Sequence, residues 1–288
     1  MTAGSTGTGS GRFGARLAEA VAARGPLCAG IDPHPGLIEA WGLPAGLGGL
    51  ERFALGAAEV LAAETAIVKP QSAFFEAFGP PGVAVLERVV RAAHEAGALV
   101  LLDVKRGDIG STMAAYTAAY VAGEAAFTAD AITVSPYLGF GALEPAVTAA
   151  REAGNGLFVL ARTSNPEAHA LQNAKLPDGR TVAQSVVDAA AEHNEGAEPY
   201  GDVGVVVGAT VAAGELDLSR LNGPVLAPGF GAQGATAGDL RALFGPGRPG
   251  LLPASSRDLL RHGPDAAALR RAVGQVADRL AGGRENGQ

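Results

Sequence analysis

The chain has one cysteine, Cys28, in 288 residues. That excludes an internal disulfide and any cysteine-based zinc cage. Cys28 lies in an apolar, strand-like run, which fits a buried, inert thiol. Lysine is scarce as well: only Lys69, Lys105 and Lys175 among the 22 Lys and Arg residues are lysines. Lys69 and Lys105 each end an apolar run. An arginine is always charged, whereas a lysine pKa can be tuned and its proton delivered. Lys69 and Lys105 are therefore candidates for chemistry. No apolar run approaches the roughly 18 residues of a membrane span. No G-x-G-x-x-G follows the first apolar run, so the main signal of a dinucleotide-binding open sheet is missing. The histidines, His34, His94, His169, His193 and His262, show no metal-ligand spacing. His94 and His193 fall in helical stretches and are expected at the surface. The net charge of −7 and pI near 5.3 argue against a nucleic-acid-binding surface. They leave room for an anionic small substrate held by a local cationic pocket.

A hydrophobic content of 48% and a positive mean hydropathy favour a well-buried core. Short, near-continuous apolar runs recur at 27–31, 66–68, 98–102, 131–134, 157–161, 203–207, 225–227 and 251–253. Such runs suit strands buried on both faces. Helical patterns lie between them at 50–64, 83–97, 112–128, 141–154 and 181–194. Eight alternations of strand and helix predict an α/β fold, a single-domain (β/α)8 TIM barrel, with a doubly wound open sheet as the alternative. The barrel is expected over 12–281. A Gly/Ser/Thr-rich tail at 1–11, with no secretory signal, and a short tail at 282–288 flank it. The long connection from 163 to 202 is expected to form a loop or lid over the site.

In such barrels the chemistry sits at the C-terminal strand ends. Those ends read Asp32, Lys69, Asp103 with Lys105, Ser135, Arg162, Gly208 with Thr210, Pro228-Gly-Phe-Gly231 and Ser255-Ser-Arg257. Asp103 and Lys105 are two apart, so on a strand they face the same way. They are either a structural ion pair or part of a charged centre with Lys69 and Asp108. Alternating charges of this kind keep each group ionised where water is excluded. Two Asp and two Lys make a poor metal shell. A Schiff-base lysine is a further possibility, disfavoured by neighbouring aspartates that keep the amine protonated. The loops after strands seven and eight combine exposed backbone N–H groups, a helix start and Arg257, which suits a phosphate. The plainer alternative there is a Gly-rich turn and a surface arginine. Asp32 either binds a sugar hydroxyl or opens a turn, and Ser135 either meets a base or caps a turn.

Several of these segments together resemble one family. They are Asp103-x-Lys105-x-x-Asp108-Ile-x-x-Thr112, Gly30-Ile-Asp32-Pro, Val68-Lys69-Pro-Gln-Ser-Ala-Phe-Phe-Glu76, Thr133-Val-Ser135-Pro-Tyr, Pro228-Gly-Phe-Gly-Ala-Gln233 and Ser255-Ser-Arg257. The pattern resembles the orotidine 5′-phosphate decarboxylases, in their longer bacterial branch. Magnesium-dependent sugar-phosphate barrels share the D-x-K-x-x-D segment, but they carry acidic ligands near the second strand end, where this chain has Lys69.

The resemblance implies decarboxylation of orotidine 5′-phosphate to uridine 5′-phosphate in pyrimidine synthesis, with no cofactor and no metal. It implies that Lys105 protonates C6, that Asp103 lies against the departing carboxylate, and that Lys69 and Asp32 bind ribose. Ser135 would meet the pyrimidine, and Gln233 and Arg257 the phosphate. Asp108, Ile109 and Thr112 would reach into the neighbouring subunit of a homodimer. The expected partner is a small-molecule nucleotide, with no nucleic acid and no membrane, in a cytoplasmic protein. A magnesium-dependent lyase and a non-catalytic nucleotide-binding barrel are the competing readings.

Overall fold

A computed structural model describes residues 11–123, 128–231 and 234–282. Its eight strands are β1 (Cys28–Ile31), β2 (Ile67–Pro70), β3 (Leu99–Arg106), β4 (Ala131–Val134), β5 (Gly156–Arg162), β6 (Val203–Val207), β7 (Val225–Pro228) and β8 (Leu251–Ser255). All are parallel, each pairs with the next, and β1 pairs with β8 to close the barrel. Helices occupy the crossovers except the one from β6 to β7; the longest of them are Leu47–Glu64, Gly79–Glu95 and Val182–His193, and Ala266–Leu280 follows β8. The predicted (β/α)8 barrel is therefore the observed one.

Strand alternation divides the residues into two cores. Outward positions such as Ile31, Val68, Leu102, Val159 and Val205 pack with Phe53, Leu61, Val89 and Leu269 of the surrounding helices. The inward positions Cys28, Ile67, Leu101, Ala131, Phe158, Val206, Leu226 and Leu252 form a second, apolar cluster within the barrel. Side chains two residues apart share a face. Two residues further along each strand, the inward residues are Gly30, Lys69, Asp103, Thr133, Leu160, Gly208, Pro228 and Ala254, and all line one cavity. The barrel is thus apolar at one level, and at the next, toward the C-terminal strand ends, it carries the polar side chains of β2, β3 and β4 among small and apolar ones.

The helix Phe13–Arg24 closes the opposite end. Phe13 and Leu17 are fully buried in the inner cluster, and the Phe13 ring meets Phe158 edge-on at 6.1 Å. Asp202 holds this helix start: its Oδ1 accepts from Gly14 N at 2.9 Å and its Oδ2 from Arg12 Nε at 3.1 Å. A Cβ at Gly14 would lie 2.2 Å from Tyr200 O, so this close approach admits only glycine.

Several expected boundaries move. The helix expected over 112–128 spans Gly110–Tyr120, and the one expected over 141–154 is a 3-10 turn, Phe140–Leu143, followed by Glu144–Glu152. Pro145 in the first α-turn marks where that helix can begin. The 163–202 connection carries the short helix His169–Gln172, a bridge between Lys175 and Thr181, and the helix Val182–His193. Most of the two expected tails, residues 1–10 and 283–288, lie outside the described residues.

Candidate active site

The site is built on the Asp103 carboxylate. β3 continues to Arg106, past the apolar run that announced it, so Asp103 and Lys105 both sit on the strand and face inward. Asp103 Oδ2 accepts from Lys69 Nζ at 3.0 Å and Gln71 Nε2 at 2.9 Å. Its Oδ1 accepts from Lys105 Nζ at 2.5 Å and Thr133 Oγ1 at 2.8 Å. Neighbouring strands β2 and β4 and the residue just beyond β2 supply three of these donors. Lys69 Nζ also lies 3.9 Å from Asp32 Oδ1, an oxygen that is buried without a hydrogen-bond partner among the described residues.

These contacts decide the protonation states. Burial opposes ionisation of Asp103, but the Lys69 and Lys105 ammoniums outweigh it and hold the carboxyl well below the usual range. Burial likewise opposes the Lys69 ammonium, and Asp103 followed by Asp32 outweighs it, raising that pKa above the ordinary lysine value. Lys69 thus stays an ammonium at neutral pH, which removes it as a Schiff-base nucleophile. Lys69 and Asp103 are 7% and 6% exposed, whereas the Lys105 side chain is 46% exposed. Of the two lysines, Lys105 is the one a ligand can reach. Its backbone is left-handed, with φ 45°, a strain of order 1–3 kcal/mol for a non-glycine residue. Beneath the centre, burial pushes the Cys28 thiol up to about 12, so it is the inert thiol expected.

The cavity above this centre holds about 400 Å³, within the range of small-molecule sites. Leu160, Val206 and Leu226 make its apolar floor, and Thr163, Ser164 and Asn165 one wall. Gly229, Ser255, Ser256 and Arg257 line the opposite end. The Ser255 and Ser256 hydroxyls are buried without a hydrogen-bond partner among the described residues. Gly30 lets Ser256 approach: a Cβ there would lie 2.6 Å from Ser256 Cβ. Unpartnered hydroxyls beside a guanidinium suit a phosphate. Gln233, expected at this end, lies outside the described residues.

Asp32, Lys69, Asp103, Lys105 and Arg257 thus meet around one cavity. Four expected residues do not line it. Asp108 accepts from the Ile109 backbone N at 2.8 Å, Ile109 is 63% exposed, and Thr112 is exposed on the helix Gly110–Tyr120. Ser135 gives its backbone N to Arg106 O at 2.8 Å. Gln71 and Thr133 carry no site role on sequence grounds, although both lie inside the segments that bear the family resemblance. Arg162 turns away from the cavity to Glu215 Oε2, 2.9 Å from its Nε, and to Thr163 O. Thr210 lines a separate concavity with Asp239 and Leu243. The two helical histidines are exposed or half-exposed as expected and each has a carboxylate partner: His94 Nε2 meets buried Asp130 Oδ2 at 2.9 Å and His193 Nε2 meets Glu144 Oε1 at 3.0 Å. Among the described residues no group of three or more His, Cys, Asp or Glu is arranged to hold a metal ion, and no helix is long and apolar enough to cross a membrane.

Comparison with known proteins matches residues 25–272 to the model of the orotidine 5′-phosphate decarboxylase / HUMPS family. A Salinispora arenicola protein named orotidine 5′-phosphate decarboxylase is 59% identical over 264 residues, covering 92% of this chain and 95% of that one. A Streptomyces coelicolor protein of the same name is 55% identical over 266 residues, with the same coverage of each. A crystal structure from Streptomyces avermitilis, 52% identical, superposes with a TM-score of 0.93 over 98% of this chain and 99% of that one.

The charge balance makes a pH-dependent prediction. Asp103→Asn leaves the Lys69 ammonium buried without its main counter-charge, which is expected to cost about 3–5 kcal/mol of stability at pH 6. Asp103 has a depressed pKa in the folded state, so its contribution is full above the ordinary value of 3.8 and fades as the pH falls toward the folded value. Thermal unfolding across pH 3–7 should show a gap between the two proteins that narrows only below about pH 4. A gap that closes near neutrality would contradict the assignment.

Proposed function

The chain belongs to the orotidine 5′-phosphate decarboxylase family and converts orotidine 5′-phosphate to uridine 5′-phosphate and carbon dioxide in pyrimidine biosynthesis, and we propose that Lys105 is the acid that protonates C6. The reaction is that of a carboxy-lyase. When the carbon–carbon bond breaks, its electron pair stays on C6 and carbon dioxide leaves. A proton from the Lys105 ammonium then forms the new C6–H bond, and the lysine is left as a neutral amine. C6 has no electron sink nearby, so the barrier must fall by something toward the upper end of the ~8–23 kcal/mol that enzymes supply. The observation that carries this reading is the Lys105 ammonium, held 2.5 Å from buried Asp103 yet open to the cavity. A preorganised cation beside the developing charge needs no reorganisation as the bond breaks.

Asp103 has a second role in this scheme. The substrate carboxylate, seated near it, is repelled, and the repulsion disappears with the loss of carbon dioxide. Binding energy from the distant phosphate holds the carboxylate there. Ser256, Arg257 and the Gly229–Gly231 loop are the proposed phosphate end, and Gln233, outside the described residues, is assigned to the same group by the family resemblance. In this reading Lys69 and Asp32 bind ribose, and Ser135, which does not line the cavity of the free chain, is assigned to the pyrimidine. No step calls for a metal or a cofactor.

The same reading makes the enzyme a homodimer with shared sites, carried by residues 12–281 and cytoplasmic. It gives a use to Asp108, Ile109 and Thr112, which lie outside their own cavity. Ile109 on the β3 loop and Tyr137 and Leu138 on the β4 loop are half of the exposed large hydrophobic residues in the described chain. Apolar exposure on the loops after two neighbouring strands suits an interaction surface.

Lys105→Ala should abolish turnover while uridine 5′-phosphate still binds, measured by calorimetry. Near-normal kcat in that variant would remove Lys105 from the acid role. Mixing inactive Lys105→Ala and Asp108→Ala chains should restore part of the activity, because one site of each hybrid dimer is intact. No recovery, with subunit exchange demonstrated by mass spectrometry, would rule out the shared site.

A further inference from the structure

Thr133 has no step in the scheme above, yet it bonds both the backbone of the proposed acid and the carboxylate that holds its ammonium. It is 1% exposed and belongs to the polar inward level of the barrel. Its hydroxyl carries one proton, which goes to Asp103 Oδ1 at 2.8 Å. The same oxygen accepts the Lys105 backbone N–H at 3.0 Å. A carboxylate can only accept and an amide N–H can only donate, so the direction of the hydroxyl is fixed. Asp103 Oδ1 is also the oxygen that holds the Lys105 ammonium. Thr133 therefore grips the Lys105 backbone directly and its ammonium through one shared oxygen.

That grip falls where the chain most needs one. β3 shifts register against β4 between Leu102 and Arg106, and Lys105 lies in this irregularity with its left-handed φ of 45°. On the far side of Lys105, Arg106 O accepts from Ser135 N at 2.8 Å. Gly107 permits this approach, since a Cβ there would lie 2.4 Å from Ser135 O. β4 and the residue after it thus tie down the backbone on both sides of Lys105, at Lys105 N and at Arg106 O. A lysine ammonium rides on a flexible four-carbon stem, so a mobile backbone would spread it over many positions.

The geometry points to Thr133 as a positioning residue: its hydroxyl sets the backbone of Lys105 and the carboxylate oxygen that its ammonium faces, so that the proton reaches C6 along one line. This rests on Lys105 as the acid. Misplacement of a reacting group by about 1 Å can cost a hundredfold in rate.

The test compares Thr133→Ser with Thr133→Ala. Both lose the methyl group and differ only in the hydroxyl. Thr133→Val keeps the volume without the hydroxyl and serves where the alanine variant is unstable. For each, kcat and KM for orotidine 5′-phosphate and Kd for uridine 5′-phosphate are measured, with Lys105→Ala in parallel. Thr133→Ala and Thr133→Val should lower kcat about 10- to 100-fold, with KM and Kd within about twofold, and Thr133→Ser should recover most of kcat. A serine variant as slow as alanine would assign the effect to packing of the methyl and overturn the inference. So would unchanged kcat in the alanine and valine variants, or a loss confined to KM and Kd, which would make Thr133 a substrate contact. If Lys105→Ala itself turns over, the acid assignment fails. If Lys105→Ala is dead and Thr133→Ala is not, only the positioning role fails.

Discussion

One buried carboxylate, Asp103, has to stay ionised, and the upper half of the barrel is arranged around that requirement. Alone, a carboxylate at this depth would take up a proton to avoid the cost of desolvation. In the barrel it accepts from two ammoniums, an amide and a hydroxyl, which satisfies both oxygens. In a site sheltered from water these contacts are stronger than they would be at the surface. Lys69 is committed to Asp103 and Asp32. Lys105 shares the carboxylate but remains half exposed to the cavity. Two lysines of the same charge on the same carboxylate thereby differ in exposure, one buried and one open to the cavity.

The period of a strand is what puts this centre in place. Ile67 and Lys69, Leu101 and Asp103, and Ala131 and Thr133 are successive inward residues of β2, β3 and β4. Each pair contributes an apolar group to the inner core and a polar group to the cavity. The Phe13–Arg24 helix seals the apolar level from below, so the polar level opens in one direction only. The end of the cavity proposed for the phosphate is built by β1, β7 and β8, where Gly30 lets Ser256 come close and Gly231 lies against Asp258.

Much of this is legible in the amino-acid sequence alone. Eight apolar runs imply the barrel because strands buried on both faces cannot alternate in polarity. Asp103 and Lys105 fall on one face by spacing alone. Thr133 is not legible as a site residue because threonine is an ordinary strand former; only its inward register beside Asp103 reveals its hydroxyl as a donor. The left-handed backbone of Lys105 carries no local signal either, since lysine has no preference for that region and the bulge arises between β3 and β4. His94 and His193 sit on helices as expected, but their partners, Asp130 and Glu144, are distant along the chain. Asp108, Ile109 and Thr112 are tied to the chemistry only through family resemblance, because one chain places them outside its own cavity.

The central claim is that paired charges of the protein itself, ending in the Lys105 ammonium, carry the decarboxylation. Its most direct test is the pyrimidine absorbance of orotidine 5′-phosphate followed with purified enzyme in excess EDTA. The account predicts turnover at the same rate as without chelator. Loss of turnover in EDTA, restored by added magnesium, would contradict it and put a bound cation in the place of the lysines.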